Sequence, residues 1–381
     1  MTSAPNSTSR TTPQGSARRF WQRVSDGLEM SELWTQFTTE ARSGYSLYSK
    51  EVDWEGVRQA PAWKRPLKVS SAIFWAMFMK LTPARRVLLL LALVLVLKAV
   101  LDVHIFFYSG PRWTHTLWAT LILLTVLALE LADRLTMKRD LEIARDIQRW
   151  LVPDKPPAVP GFDIAFATRP ANTVAGDYYD AFYRTTPQGE RLLIVVADVA
   201  GKSVPAALLM ATFQASLQAL ATGLVSLAEL VAALNRYTCT RSLGGLRFTT
   251  AFLAELDPAT RALTYICAGH NPPILRRVAG DTSELSVGGV PLGIDAGAHF
   301  EQASDSLVAG DLLLIYTDGL IEAVNDRGEE FGLARVTEIL HAVPGETAEQ
   351  TLQHLLEAVN RFVGRAPQHD DITCLLLRAI Q

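Results

Sequence analysis

Two long, almost unbroken apolar runs dominate the first half of the chain, Val87–Tyr108 (VLLLLALVLVLKAVLDVHIFFY) and Trp113–Leu131 (WTHTLWATLILLTVLALEL). Each approaches the roughly 20 residues that a helix needs to cross a hydrocarbon layer about 30 Å thick. Ser109-Gly110-Pro111-Arg112 between them suits a reversal of direction, so the pattern predicts a two-helix transmembrane hairpin over 84–131. Arg85 and Arg86 before it, and Arg134, Lys138 and Arg139 after it, place both ends on the cytoplasmic side of an inner membrane. Lys98, Asp102, His104 and Glu130 interrupt the apolar text. Lys98 and Asp102 are one helical turn apart and can neutralise each other, whereas His104 and Glu130 lie nearer the span ends. Two buried helices of a soluble domain fit the basic flanks less well.

Outside the hairpin the pattern changes. Residues 1–19 are rich in Ser, Thr and Pro and lack an apolar signal region, which predicts a disordered tail. An N-terminal cytoplasmic segment over 20–83 has no assignable fold. Within it, 66–82 gathers Ile73, Phe74, Trp75 and Phe78 between Lys68 and Lys80, as either a partly buried or an interfacial helix would. After the hairpin, 132–160 reads as a helical linker. Its Met137, Leu141, Ala144, Gln148 and Leu151 recur at coiled-coil spacing, so a homodimer through this helix is expected.

From residue 161 to 381 short strands, turns and helices alternate. Phe162, Ile164 and Phe166 alternate as a strand does, and Arg191–Ala197 (RLLIVVA) reads as a strand buried on both faces. Val204–Ala221 is an Ala-rich helix with Pro205 in its first turn; Ser226/Glu229 and Thr347/Gln350 have capping-box spacing. Strands are expected at Asp311–Thr317 and Ile372–Arg378. Without regular β-α alternation this is an α+β domain, antiparallel sheets with helices packed outside.

Composition narrows the chemistry. A formal net charge of -3 and the lack of a basic stripe in the C-terminal half exclude nucleic acid as the expected partner. Cys239, Cys267 and Cys374 are far apart, without C-x-x-C spacing, which excludes a disulfide framework and a cysteine zinc site. Four acids instead stand where apolar strands meet polar turns: Asp177, Asp198, Asp318 and Asp370. If those strand ends converge, the carboxylates must be neutralised by protons or cations, and oxygen donors suit magnesium or manganese.

These acids sit in stretches that resemble a known family. The stretches are Ala144-Arg-Asp-Ile-Gln148, Ala175-Gly176-Asp177-Tyr178-Tyr179-Asp180, Asp198-Val199-Ala200-Gly201-Lys202-Ser203-Val204-Pro205, Ala268-Gly269-His270-Asn271-Pro272-Pro273, Gly289-Val290-Pro291-Leu292-Gly293, Tyr316-Thr317-Asp318-Gly319, Glu330-Phe331-Gly332 and His369-Asp370-Asp371-Ile372-Thr373. In this order, from Glu142 to Gln381, they resemble the bacterial branch of the metal-dependent (type 2C) serine/threonine protein phosphatases, that of the sporulation and stress-response regulators.

The resemblance implies a four-layer sandwich of two antiparallel β-sheets flanked by helices, with two Mn²⁺ or Mg²⁺ ions at one end. By the family's motifs Asp177 bridges the metals, Asp198 binds directly or through water with the Val199 carbonyl as a further oxygen ligand, and Asp318 and Asp370, the first of two adjacent acids, hold the other metal face. Phosphoserine or phosphothreonine is then hydrolysed by a hydroxide that the two metals activate. Lys202 and Arg169 are candidate phosphate contacts; His270 and Asn271 could touch substrate or only bond their turn; His369 and Asp371 are candidate supports of the ligands. The branch acts on phosphorylated regulators of anti-sigma factors, which is the substrate class implied.

Three departures are visible: Ala175, Ala197 and Ser203 stand where the family commonly has glycine, and left-handed backbone at Ser203 would bear on the helix that follows. The competing readings are a non-catalytic membrane signalling scaffold that binds a partner, and a hydrolase of nucleotides or other phosphoesters.

Overall fold

The computed structural model describes residues 65–101, 112–186, 189–223, 226–241, 247–343 and 345–381. The 1–19 tail, most of the 20–83 segment and the hairpin turn with Asp102 and His104 lie outside the described residues. The chain divides into two compact units, Met1–Arg134 and Leu135–Gln381.

In the first unit, α1 (Arg65–Lys80) precedes α2 (Pro83–Leu101), and α3 (Arg112–Leu151) begins. On α1 the rings of Phe74 and Trp75 gather on Phe78, with centroids 5.9 and 5.4 Å away. A surface helix of a water-soluble protein buries one apolar stripe and presents a polar face. Here Leu90, Leu91 and Leu97 of α2, and Leu121, Leu124 and Leu127 of α3, are all exposed. Glu130 has a protein partner: Arg85 reaches it at 3.0 Å and Asp133 at 2.7 Å. Among the described residues two helices are long and apolar enough to cross a membrane, one being α3 from Trp113 and the other Ser203–Ala221.

The second unit contains β1 (Phe162–Arg169), β2 (Asp177–Thr186), β3 (Gly189–Val199), α4 (Ser203–Ala221), α5 (Leu227–Arg241), β4 (Thr249–Leu256) and β5 (Ala262–Ala268). There follow β6 (Ile274–Arg276), β7 (Thr282–Glu284), β8 (Gly288–Gly289), β9 (Ala303–Ser306), β10 (Leu312–Tyr316), α6 (Gly332–Ala342), α7 (Ala348–Val363) and β11 (Ile372–Ala379). One sheet runs β1-β11-β10-β6-β7; the other runs β2-β3-β4-β5-β8, with β9 also on β5.

Strand alternation builds the layers. On β3, Ile194 and Val196 point into a core shared with Leu313, Ile315, Leu375 and Leu377 of the opposite sheet. Their neighbours Leu193 and Val195 point the other way, onto Met210, Phe213 and Leu217 of α4 and Leu230 and Leu234 of α5. The same alternation sends Leu312, Leu314 and Leu376 onto Val336 and Leu340 of α6 and Leu352 and Leu355 of α7. The result is helices, sheet, sheet, helices. It also explains why α4 passes for a membrane span by composition, since one of its faces is core.

Local signals behave as their chemistry dictates. Thr347 and Gln350 form the capping box that opens α7, and Ser226 and Glu229 exchange the same pair of bonds before α5. The strand expected over Asp311–Thr317 is shorter, Leu312–Tyr316. Asp311 instead accepts from the backbone N–H groups of Val278 and Val308 and pairs with Arg277. One strand pair departs from the antiparallel expectation: β5 and β8 run parallel. Gly288 permits it, because a side chain there would lie 1.9 Å from the Cys267 carbonyl oxygen.

In the last turns of α3 the expected seam positions also meet their own chain, apart from Met137, which is exposed. Leu141, Ala144, Gln148 and Leu151 are half-buried within a single chain. Gln148 is committed there: its Nε2 donates to the Ala175 carbonyl at 2.7 Å, and its Oε1 accepts from the Ala175 N–H at 2.9 Å.

Candidate functional site

Asp177 opens β2 and Asp198 lies one residue from the end of β3; the antiparallel register sets them opposite each other. Asp318 opens a single 3₁₀ turn, Asp318–Leu320, just beyond β10, and Asp370 lies just before β11. In antiparallel pairs one strand begins where its neighbour ends, so each sheet contributes two acids at one edge. Thr317 joins the two edges: its hydroxyl donates to Asp177 Oδ2 at 2.9 Å and accepts from the Thr373 N–H at 3.0 Å.

Burial and mutual repulsion shape the charges. Asp177 is 5% exposed. Desolvation, then the field of Asp198, hold its carboxyl well above the usual carboxylate range, against hydrogen bonds from Thr373 and Thr317. Burial, followed by the charges of Asp318, Asp370 and Asp371, pushes Asp198 up to about 7. Asp318 is raised by burial and then by Asp370.

Two glycines let the backbones approach. A side chain at Gly319 would lie 2.1 Å from the Asp371 carbonyl oxygen, so the 318–320 turn can meet the start of β11 only without a Cβ. A side chain at Gly176 would meet the Val199 carbonyl oxygen at 3.2 Å and Asp198 Oδ1 at 3.7 Å. This brings the Val199 carbonyl beside the acids.

The adjacent acids Asp370 and Asp371 are separated by their surroundings. Asp371 is buried and accepts the N–H groups of Ala171 and Gly176, both at 2.7 Å, which fastens the loop leading to Asp177. Asp370 faces the cleft, where Lys202 Nζ approaches its Oδ2 to 2.9 Å and donates to the His369 carbonyl at 2.7 Å. That cleft, about 150 Å³, is lined by Arg169, Lys202, Glu322, Val324, His369 and Asp370. A guanidinium N–H of Arg169 also donates to Asn360 Oδ1.

His270 is interior, 5% exposed, with its Nδ1 3.1 Å from the Thr250 hydroxyl, and burial lowers its pKa to about 4. The ring thus bonds to β4, and the neighbouring Asn271 is half-buried. Ser203 has the left-handed backbone its position called for, at φ 61°.

Among the described residues, no three His, Cys, Asp or Glu side chains already enclose a common point. Asp177 is engaged with Thr317, Asp370 with Lys202, and Asp371 with backbone. The donor set nevertheless fits a hard cation. It consists of carboxylate and carbonyl oxygens, and its buried acids repel one another until a positive charge enters.

Thr317 and Thr373 flank the acids in sequence, but only their hydrogen bonds reveal a role, and the same holds for the bonds of Gln148 to Ala175.

A model of the stage II sporulation protein E family matches residues 188–380. Phosphoserine phosphatase RsbU of Bacillus subtilis is 27% identical over 245 residues, 64% of this chain and 70% of that protein. Protein IcfG of Synechocystis is 27% identical over 277 residues, 66% of this chain but 43% of that protein. Among solved structures, the RsbU and RsbW domains of a Mycobacterium tuberculosis protein share 29% identity at a TM-score of 0.51, covering 60% of this chain and 63% of that one. The SiaA-PP2C domain of Pseudomonas aeruginosa shares the fold, with a TM-score of 0.56 at 22% identity over 65% of this chain and 98% of that one.

Proposed function

The chain belongs to the stage II sporulation protein E family of bacterial metal-dependent serine/threonine protein phosphatases, and from that premise we propose that it removes phosphate from serine or threonine of a signalling protein while anchored in the inner membrane. The observation that carries this reading is the gathering of Asp177, Asp198, Asp318 and Asp370 at adjoining strand ends, within one another's fields.

In this reading Asp177, Asp198, the Val199 carbonyl, Asp318 and Asp370 hold two Mn²⁺ or Mg²⁺ ions. Bound there, such ions supply the Lewis acidity that makes water nucleophilic near neutral pH and offsets charge on the phosphoryl oxygens. The chain's own residues do the rest. Thr317 hydrogen-bonds the Asp177 carboxylate and favours its ionised form. Asp371 fixes the loop before Asp177. Lys202 and Arg169 bring positive charge to the cleft that a phosphate monoester would enter.

RsbU bears the name of a phosphoserine phosphatase, which supports phosphoserine as the group attacked; a regulator of an anti-sigma factor is the substrate that the motif resemblance implies. The outward-facing leucines of α2 and α3 support the hairpin, with the N-terminus and the sandwich both cytoplasmic.

Phosphate release from a phosphoserine protein, measured after chelation and again after adding Mn²⁺, tests the activity. Turnover that chelation abolishes and Mn²⁺ restores is expected. Inertness under both conditions would leave a partner-binding scaffold.

A further inference from the structure

Lys202 is carried by the turn between β3 and α4, with left-handed backbone on both sides of it, at Gly201 (φ 124°) and Ser203 (φ 61°). Its side chain leaves that turn and crosses to the loop before β11, where the ammonium meets Asp370 Oδ2 at 2.9 Å and the His369 carbonyl at 2.7 Å. The other oxygen of Asp370, Oδ1, accepts the Asp371 N–H at 3.0 Å. Both oxygens of this carboxylate are therefore engaged, one of them by a full positive charge. A divalent ion on Oδ2 would sit within a few ångströms of the ammonium, and the two positive charges would oppose each other in this partly exposed cleft.

We infer that Lys202 is the protein's own counter-cation at Asp370, and that a divalent ion binds that carboxylate only by displacing it. The inference rests on the metal-site reading of Asp370 given above. It makes Lys202 a positioning residue: it holds Asp370 and the 369–370 backbone in place before loading, and its departure accompanies loading.

The test is a calorimetric titration of Mn²⁺ into the full chain freed of metal, as wild type, Lys202→Met, Asp370→Asn and the double variant. An exposed ion pair that no longer has to be broken should make Lys202→Met bind Mn²⁺ about three- to fivefold more tightly than wild type. In the Asp370→Asn background the same change should bring no tightening. A second readout needs no variant. Acylation of the Lys202 amine, followed by peptide mass spectrometry, should rise when Mn²⁺ is added to wild type. Unchanged or weaker affinity in a folded Lys202→Met protein, tightening that persists without Asp370, or amine reactivity indifferent to Mn²⁺ would each overturn the displacement. If wild type still shows Mn²⁺-dependent hydrolysis, the phosphatase reading survives that result. If wild type binds no Mn²⁺, both ideas fail together.

Discussion

Asp177 and Asp198 face each other across β2 and β3, and both carboxyls are raised by burial. Asp198 titrates near 3.8 when free and near 7 when folded. Between those values the folded state binds more protons than the unfolded chain, so stability falls as pH rises through the window. Asp177 acts in the same direction. Without metal, the melting temperature should therefore drop from about pH 4 to about pH 8, and for Asp198 the loss corresponds to roughly 4 kcal/mol at most. Saturating Mn²⁺ should flatten the dependence. Melts at a series of pH values, with chelator and with Mn²⁺, check this; a flat chelated profile would contradict it.

Ser203 holds a left-handed backbone that glycine adopts freely. That conformation costs a non-glycine residue about 1–2 kcal/mol. Ser203→Gly should therefore stabilise the protein by about 1 kcal/mol, read as a higher denaturant midpoint with unchanged slope.

Gln148 makes a two-bond clasp on the backbone of Ala175, next to Gly176 and Asp177. Gln148→Ala removes both bonds, with an expected loss of about 2 kcal/mol. Because the clasp holds the loop that presents Asp177, kcat for a small phosphate ester should fall as well. Unfolding curves and steady-state kinetics of the same preparation check the two parts.

Gly319 lies where any side chain would strike the Asp371 backbone. Gly319→Ala must push the 318–320 turn away from the start of β11. The expected outcome is loss of Mn²⁺-dependent phosphate release by at least about 100-fold, alongside a destabilised fold. Wild-type activity in this variant would show that the two loops need not touch.

The exposed leucines of α2 and α3 give a separate expectation. The full chain should sediment with membranes and resist alkaline extraction. Recovery in the soluble fraction would remove the hairpin from the account.

Much of the fold was legible because its signals are local. Leu192–Val196 could be read as a strand buried on both faces because each face meets its own core. Thr347 and Gln350 announced a helix start that needs no tertiary partner. The acids stood out because each lies where an apolar strand meets a polar turn, within motifs that follow one order. What stayed hidden depends on contacts across 20 to 140 positions of sequence. Periodicity shows that Gln148 faces something, not that it faces Ala175. Nor can spacing show that the Thr317 hydroxyl reaches Asp177, or that Asp311 turns back to bind Val278 and shortens its strand. Nor does the turn sequence show that His270 is buried beside Thr250.

The most direct test compares phosphate release from a phosphoserine protein by wild type and Asp177→Asn at saturating Mn²⁺. If gathered carboxylates hold the ions that drive hydrolysis, wild type turns over and the variant loses activity by about 1,000-fold or more, in keeping with the several kcal/mol such metal chemistry supplies. Equal turnover by the two proteins would contradict the account.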